Sequence, residues 1–293
     1  MPYQVSPLKA PIGAEVLNLK LQGEIGDEDR STLRQAWFEH KVLLFRGQTL
    51  TFQQQISFTQ VFGELEAPVM HLLKYSDGTG QKSSVPPEIT IVSNIKENGK
   101  AIGQLGHGEA YWHSDSNFIE EPPAGAMLHG IEIPPKGGNT SFIDMVSVLE
   151  TLPPDLRAAI EGRYCKHDPS LSSTGQKRKD YDEVTDVSKS LGPEHPLIRT
   201  HPVTKQQILF LGRRANAYIV GLPIDESEDL LDKLWAHTMA QNCVYEHVWQ
   251  PGDILLWDNR AVMHRRDSFD DSHRRLMHKT VLKGDKPFSA YDA

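Results

Sequence analysis

The chain has 293 residues, of which 38% are hydrophobic and 24% charged, and its formal net charge is −8. That length supports a sizeable core and that composition excludes a wholly disordered chain, while the acidic balance argues against a phosphate-binding surface for nucleic acid. No run approaches eighteen apolar residues, so no membrane span is expected, and the opening residues lack the basic and apolar regions of a secretory signal.

Gly13–Leu21 alternates apolar with polar at period two, which predicts a half-buried strand. Asp27–His40 reads as a helix with Leu33, Trp37 and Phe38 on one face, running into a buried strand, Lys41–Arg46, that stops at Gly47. Thr51 is placed to cap a second helix that turns Phe52, Ile56 and Phe62 to the core. From about residue 90 the pattern changes to strands separated by Pro and Gly: Ile89–Val92, Gly125–Ile131 and Thr140–Ile143, then Gln207–Leu211, Val244–Trp249, Ile254–Trp257 and Leu276–Leu282. An amphipathic helix is predicted over Glu226–Ala240, with Leu230, Leu231, Leu234, Trp235, Thr238 and Met239 on one side.

Many short strands with a few helices point to an α+β, mostly β fold: a double-stranded β-helix, or jelly roll, backed by helices and not a βαβ nucleotide fold. A single domain over residues 1–293 is expected, with the polar stretch 170–194 as a long loop or lid. Cys165 and Cys243 are too few and too far apart for a disulfide scaffold or a cysteine zinc site, and a cytoplasmic protein is expected.

The thirteen histidines are the chain's unusual resource. In Trp112-His113-Ser114-Asp115-Ser116, a strand would turn His113 and Asp115 to one face. With a second imidazole they would form the two-His, one-carboxylate set of non-haem iron oxygenases. Alone the tripeptide is weak, because chance supplies about one His-x-Asp in a chain of this make-up. A second imidazole is available at His264, after Trp257-Asp258-Asn259-Arg260. Arg275 follows eleven residues later as a bidentate grip for a carboxylate. Gly137-Gly138-Asn139-Thr140 adds a hydroxyl at a strand start, although on that stretch alone a plain hairpin turn before a β-favouring threonine is the better reading. His107-Gly108-Glu109 imitates a ligand pair, while His71, His129, His201 and His247 read as core or surface residues, and Trp249 and Trp257 as core packing.

In order and setting, His113-x-Asp115, Gly137-Gly138-Asn139-Thr140, Trp257-Asp258-Asn259-Arg260, His264 and Arg275 resemble the TauD/TfdA family of taurine and aryloxyalkanoate dioxygenases. The likeness runs from Lys41 to Phe288. It implies an Fe(II)- and 2-oxoglutarate-dependent dioxygenase that uses O2 to hydroxylate a C–H bond and releases succinate and CO2. Carried over by position, His113, Asp115 and His264 would hold the metal, and Thr140 and Arg275 the distal carboxylate of 2-oxoglutarate. The partner expected is a small molecule, with no nucleic acid and no membrane, and the chain is expected to form a homo-oligomer. Two other readings of the triad stay open: a non-catalytic jelly-roll binding protein, and a zinc hydrolase, which would have no use for the Thr140–Arg275 clamp.

The sequence departs from the taurine enzymes where the substrate would bind. Lys279 stands four residues past Arg275, where those enzymes carry a second arginine, and the spacing keeps it on the same strand face. An ammonium favours an anion but lacks the bidentate fork. Glu109, four before His113, replaces a neutral amide. Glu109 opposite Lys279 would suit a small anionic or zwitterionic substrate, although the two could equally pair with each other or with solvent.

Overall fold

The three-dimensional structure is a computed structural model that describes residues 3–66, 84–179 and 181–292. His71 lies outside the described residues. Eight strands form one sheet, in the order Gln4–Pro7, Ala14–Leu17, Val42–Phe45, Ile254–Asp258, Gly125–Glu132, Leu276–Leu282, Thr90–Ser93 and Gln104–Leu105. Four form a second, in the order Val244–His247, Thr140–Asp144, Val262–Arg266 and Ala110–His113. Neighbours are antiparallel except at two places towards the ends of the large sheet.

Period-two alternation places the layers. In Val42–Phe45 and Ile254–Asp258, the residues Val42, Leu44, Leu255 and Trp257 join an interior cluster that also takes Phe142 and Val262 from the small sheet. Their strand neighbours Leu43, Phe45, Ile254 and Leu256 point the other way, onto a cluster with Leu33 and Trp37 of helix Asp27–His40 and Phe58 of helix Phe52–Thr59. The small sheet repeats the scheme. Ile143 and Met263 face a third cluster with Leu231 and Leu234 of helix Ile224–Ala240. Two sheets enclose an apolar interior, and helices cover both outer faces, which is the expected jelly roll.

Most expected elements lie within two or three residues of their predicted bounds, and helix Asp27–His40 and strand Leu276–Leu282 match residue for residue. Thr51 caps its helix through a reciprocal bond with Gln54, a complete capping box. Helices Met145–Glu150 and Pro154–Ile160 were not foreseen; they span six and seven residues, too short for a 3.6-residue period to declare itself. In helix Ile224–Ala240, Leu231, Leu234 and Thr238 are buried, but Met239 is exposed. The described part of the 170–194 stretch is largely irregular, with a bridge between Leu171 and Lys177 and a 3-10 turn at Val187–Lys189. It docks on the outer edge of strand Ala110–His113, where the Tyr111 N–H donates to the Ser173 carbonyl at 2.9 Å.

Candidate active site

His113 closes its strand, and its cross-strand partner is His264. The two rings lie 4.2 Å apart, centroid to centroid. The strand ends before Asp115, contrary to the simple alternation expected of the sequence. Asp115 sits in a turn that continues through Ser116, whose φ is +48°. What brings its carboxylate back to the histidines is Asn259: the Asp115 N–H donates to Asn259 Oδ1 at 2.7 Å, and Asn259 Nδ2 donates to the Asp115 carbonyl at 3.1 Å and to the Pro123 carbonyl at 3.0 Å. Asn259 is held in turn by the preceding corner, where Arg260 makes a two-pronged contact with the buried Asp258 and His201 meets the same carboxylate at 3.0 Å. His201 therefore braces the corner, as a core histidine.

Asp115 Oδ1 lies 3.6 Å from His113 Nε2 and 3.8 Å from His264 Nε2. The three ligand atoms fall within 4.8 Å of one another. The His113 Nδ1–H donates to the Tyr111 carbonyl at 2.7 Å, an acceptor that selects this tautomer and leaves the Nε2 lone pair facing the cluster. Burial drives His264 well below its ordinary pKa, with His113 adding to the effect, so its imidazole is neutral. Burial would raise Asp115, but the Lys279 ammonium and the two imidazoles outweigh it and hold the carboxyl well below the usual range. Two imidazoles and one carboxylate whose ligand atoms converge on one point fit a divalent metal.

Met277 and Lys279 alternate along strand Leu276–Leu282 onto the interior face, and Arg275, immediately before the strand, is buried as well. Lys279 Nζ, however, stands 2.6 Å from Asp115 Oδ2 and 5.6 Å from the centre of the Trp257 ring. Its ammonium is the partner of the triad carboxylate. Glu109 is not opposite it. The strand begins only at Ala110 and its pairing register slips between His264 and Arg266, so four residues of spacing do not keep Glu109 on the inner face. Glu109 is exposed and lies 3.7 Å from Arg265. Glu66 lies within electrostatic reach of both Lys279 and Asp115, and burial raises its carboxyl against the pull of Lys279.

Thr140 is buried, and its Oγ1 accepts from Trp249 Nε1 at 2.9 Å, which leaves its hydroxyl proton free to donate elsewhere. Arg275 is 2% exposed, and burial followed by the nearby Arg266 cation pulls its pKa down to about 9. Its Nε has no partner, and its closest polar contact is the Gly138 carbonyl at 3.5 Å. Among the described residues no carboxylate lies within 4 Å of its guanidinium. Gly138 makes room for it: its φ is +69°, and a Cβ there would come 3.3 Å from Arg275 Nε. A buried cation with an unsatisfied donor, beside a buried hydroxyl, fits the carboxylate of a 2-oxo acid.

Sequence reasoning missed Asn259, Glu66 and Trp249 as parts of this site. Only Asn259 carried a signal, through its place in the Trp257–Arg260 motif. Asn259→Ala is expected to weaken divalent-metal binding about tenfold to a hundredfold with the fold retained, the usual cost of losing an outer support. A metal titration that gave the wild-type affinity would mean that the Asp115 turn needs no such brace.

The family model described as "Taurine catabolism dioxygenase TauD, TfdA family" matches residues 4–281. Among characterised relatives, the alpha-ketoglutarate-dependent 2,4-dichlorophenoxyacetate dioxygenase of Cupriavidus pinatubonensis is 31% identical over 97% of this chain and 99% of its own length. The pentalenolactone F synthase of Streptomyces arenae is 31% identical over 99% of this chain and 98% of its own. Among solved structures, AAD-2 in complex with Mn(II) and N-oxalylglycine superposes with a TM-score of 0.77 at 29% identity, covering 98% of this chain and 99% of that one. A taurine dioxygenase from Burkholderia xenovorans gives 0.76 at 29% identity, covering 99% and 94%.

Proposed function

Because the chain belongs to the TauD/TfdA family of 2-oxoglutarate-dependent dioxygenases, we propose that His113, Asp115 and His264 hold its iron and that Thr140 and Arg275 hold its 2-oxoglutarate. The enzyme is an oxidoreductase that uses Fe(II), 2-oxoglutarate and O2. When bound, that set supplies the oxidation of a substrate C–H to C–OH, with 2-oxoglutarate leaving as succinate and CO2.

The chain's own residues do the placing. His113 and His264 present lone pairs from neighbouring strands of the small sheet, and Asp115 offers Oδ1 while Lys279 occupies Oδ2. Arg275 fixes one end of the co-substrate through charge-assisted hydrogen bonds, and Thr140 donates to the same group. The interior cluster of Phe142, Trp249, Trp257 and Met277 walls the site with apolar surface, which excludes water from the reacting carbon. The observation that carries this reading over a zinc hydrolase is Arg275, a buried cation with no carboxylate among the described residues to meet it. A hydrolase built on the same triad has no need of it.

The proposed substrate is a small organic anion. Support comes from relatives whose names specify 2,4-dichlorophenoxyacetate, phenoxypropionate and sulfate esters, each with an acidic group. The cytoplasm is the proposed compartment, since Cys165 and Cys243 are both unpaired, buried thiols. No helix among the described residues is long and apolar enough to cross a membrane. Succinate release in the presence of Fe(II), 2-oxoglutarate and O2, stimulated by some of a panel of carboxylates, sulfonates and sulfate esters, is the expected result. Stimulation by neutral hydrocarbons alone would overturn the substrate class, and release indifferent to iron would overturn the reaction.

A further inference from the structure

A second group of cations without full counter-charge borders the segment that carries Asp115. Arg213 is 7% exposed; its Nη2 donates to the Asp168 carbonyl at 2.9 Å and its Nε has no partner. Arg178 hangs from the same segment, its N–H donating to the Ser170 carbonyl at 2.7 Å, and its guanidinium carbon lies 4.1 Å from the centre of the Phe118 ring. Both therefore border the residues around Asp115. The Ser114 N–H donates to the Gly212 carbonyl at 3.0 Å, one residue before Arg213, and Phe118 follows Asp115 by three. Burial lowers both guanidinium groups, Arg213 to about 10, and Arg178 further disfavours the charge on Arg213.

One acid is near, and it is already occupied. Asp168 Oδ2 accepts from the Ser170 N–H, the Ser170 hydroxyl and Asn216, and its Oδ1 from the Ser190 hydroxyl. Among the described residues neither arginine has a carboxylate within 4 Å. Two cations thus share a single carboxylate that neutral donors saturate. His167 and His195 add no charge, since burial drives His167 well below its ordinary pKa and His195 to about 4. Another buried arginine pair is balanced: Arg199 and Arg260 sit with Asp258 and Asp285, and Arg260 grips Asp258 with two nitrogens. An excess buried cation is costly unless an anion arrives. This is the same signature that marks Arg275.

Resting on the dioxygenase reading of the triad, we propose that Arg213 and Arg178 are the anion-binding subsite for the primary substrate. The carboxylate, sulfonate or sulfate group of a small organic acid pairs with these two guanidinium groups, and its carbon end extends past Phe118 towards His113, Asp115 and His264. Lys279, which its position in the sequence offers for that task, remains with Asp115 at 2.6 Å. The fork geometry of arginine suits a planar or tetrahedral oxyanion better than a lone ammonium does. Arg178 lies on the 170–194 stretch, so an arriving anion also ties that segment to the site.

Calorimetric titration of phenoxyacetate, benzenesulfonate and phenyl sulfate into the full chain tests this, with Mn(II) and N-oxalylglycine bound first and again without them. At least one probe should bind the wild type, and Arg213→Met and Arg178→Met should each weaken it about tenfold to a hundredfold. N-oxalylglycine binding should be unchanged in both. Arg178 is only half-buried, so its variant carries the test if Arg213→Met fails to fold. Failure of all three probes on the wild type, wild-type affinity in the arginine variants, or a larger loss in Lys279→Met would each overturn the proposal. Loss of N-oxalylglycine binding in the wild type would instead count against the dioxygenase site, and the metal-free titration would still read the arginines.

Discussion

Asp115→Ala is expected to abolish divalent-metal binding at micromolar metal and to lower succinate release by about a hundredfold to a thousandfold or more. Asp115 supplies the one negative charge of the triad, and its Oδ1 is the atom equidistant, within a few tenths of an ångström, from both imidazole nitrogens. Its removal does more than delete a ligand. Lys279, now 2.6 Å from Oδ2, would be left as an unpaired and mostly buried cation beside the two imidazoles, and the site would repel the ion it should attract. Stripping one partner from a buried charge pair costs about 3–5 kcal/mol, the origin of the expected factor. Asp115→Asn keeps the shape and loses the charge, so it should fail nearly as badly while its circular dichroism stays native. A folded Asp115→Ala protein that binds Fe(II) like the wild type would remove Asp115 from the site.

Arg275→Met should raise the KM for 2-oxoglutarate about tenfold to a hundredfold or more, because a hydrogen bond to a charged group contributes about 1.5–3 kcal/mol. Metal affinity should hardly change. The same substitution has an opposite expected effect on the fold. At neutral pH the wild type keeps a desolvated cation with no carboxylate beside it among the described residues. Its folded pKa of about 9 lies below the ordinary 12.5, so the folded state binds its proton less readily than the unfolded chain does. That penalty is present at neutral pH, where both states are charged, and is relieved as the pH climbs above about 9. Without 2-oxoglutarate, Arg275→Met should therefore melt at a higher temperature than the wild type, and 2-oxoglutarate at a concentration that just saturates the wild type should stabilise the wild type far more than the variant. An unchanged KM together with an unchanged melting temperature would assign the arginine to some other partner.

The readable part of this fold was the part built on repetition. Val42–Phe45 and Ile254–Asp258 are buried on both faces, so their unbroken apolar runs announced central strands, and Leu276–Leu282 turns Met277 and Lys279 to the interior as its alternation predicts. The chemistry of the triad was legible as residue types in order. What the sequence could not convey was contact between distant segments. Asp115 leaves its strand and is returned by Asn259, 144 residues away. Glu109 looked equivalent to an inner residue because periodicity assumes a strand without a bulge, and the register slip beside Arg266 breaks that assumption. Lys279 was placed on the right face, but which anion it would meet depended on the geometry of a turn from another sheet. Arg213 and Arg178 were invisible for a different reason: a missing counter-charge is a property of the surroundings, not of the residue.

Anaerobic addition of Fe(II) and then 2-oxoglutarate to the purified chain, followed by visible spectroscopy, tests the central assignment most directly. The expected result is a charge-transfer band that needs both additions, is absent in His264→Ala and Asp115→Ala, and requires about tenfold to a hundredfold more 2-oxoglutarate in Arg275→Met. No band in the wild type, or an undiminished band in a ligand variant, would contradict the assignment of His113, Asp115 and His264 as the iron site.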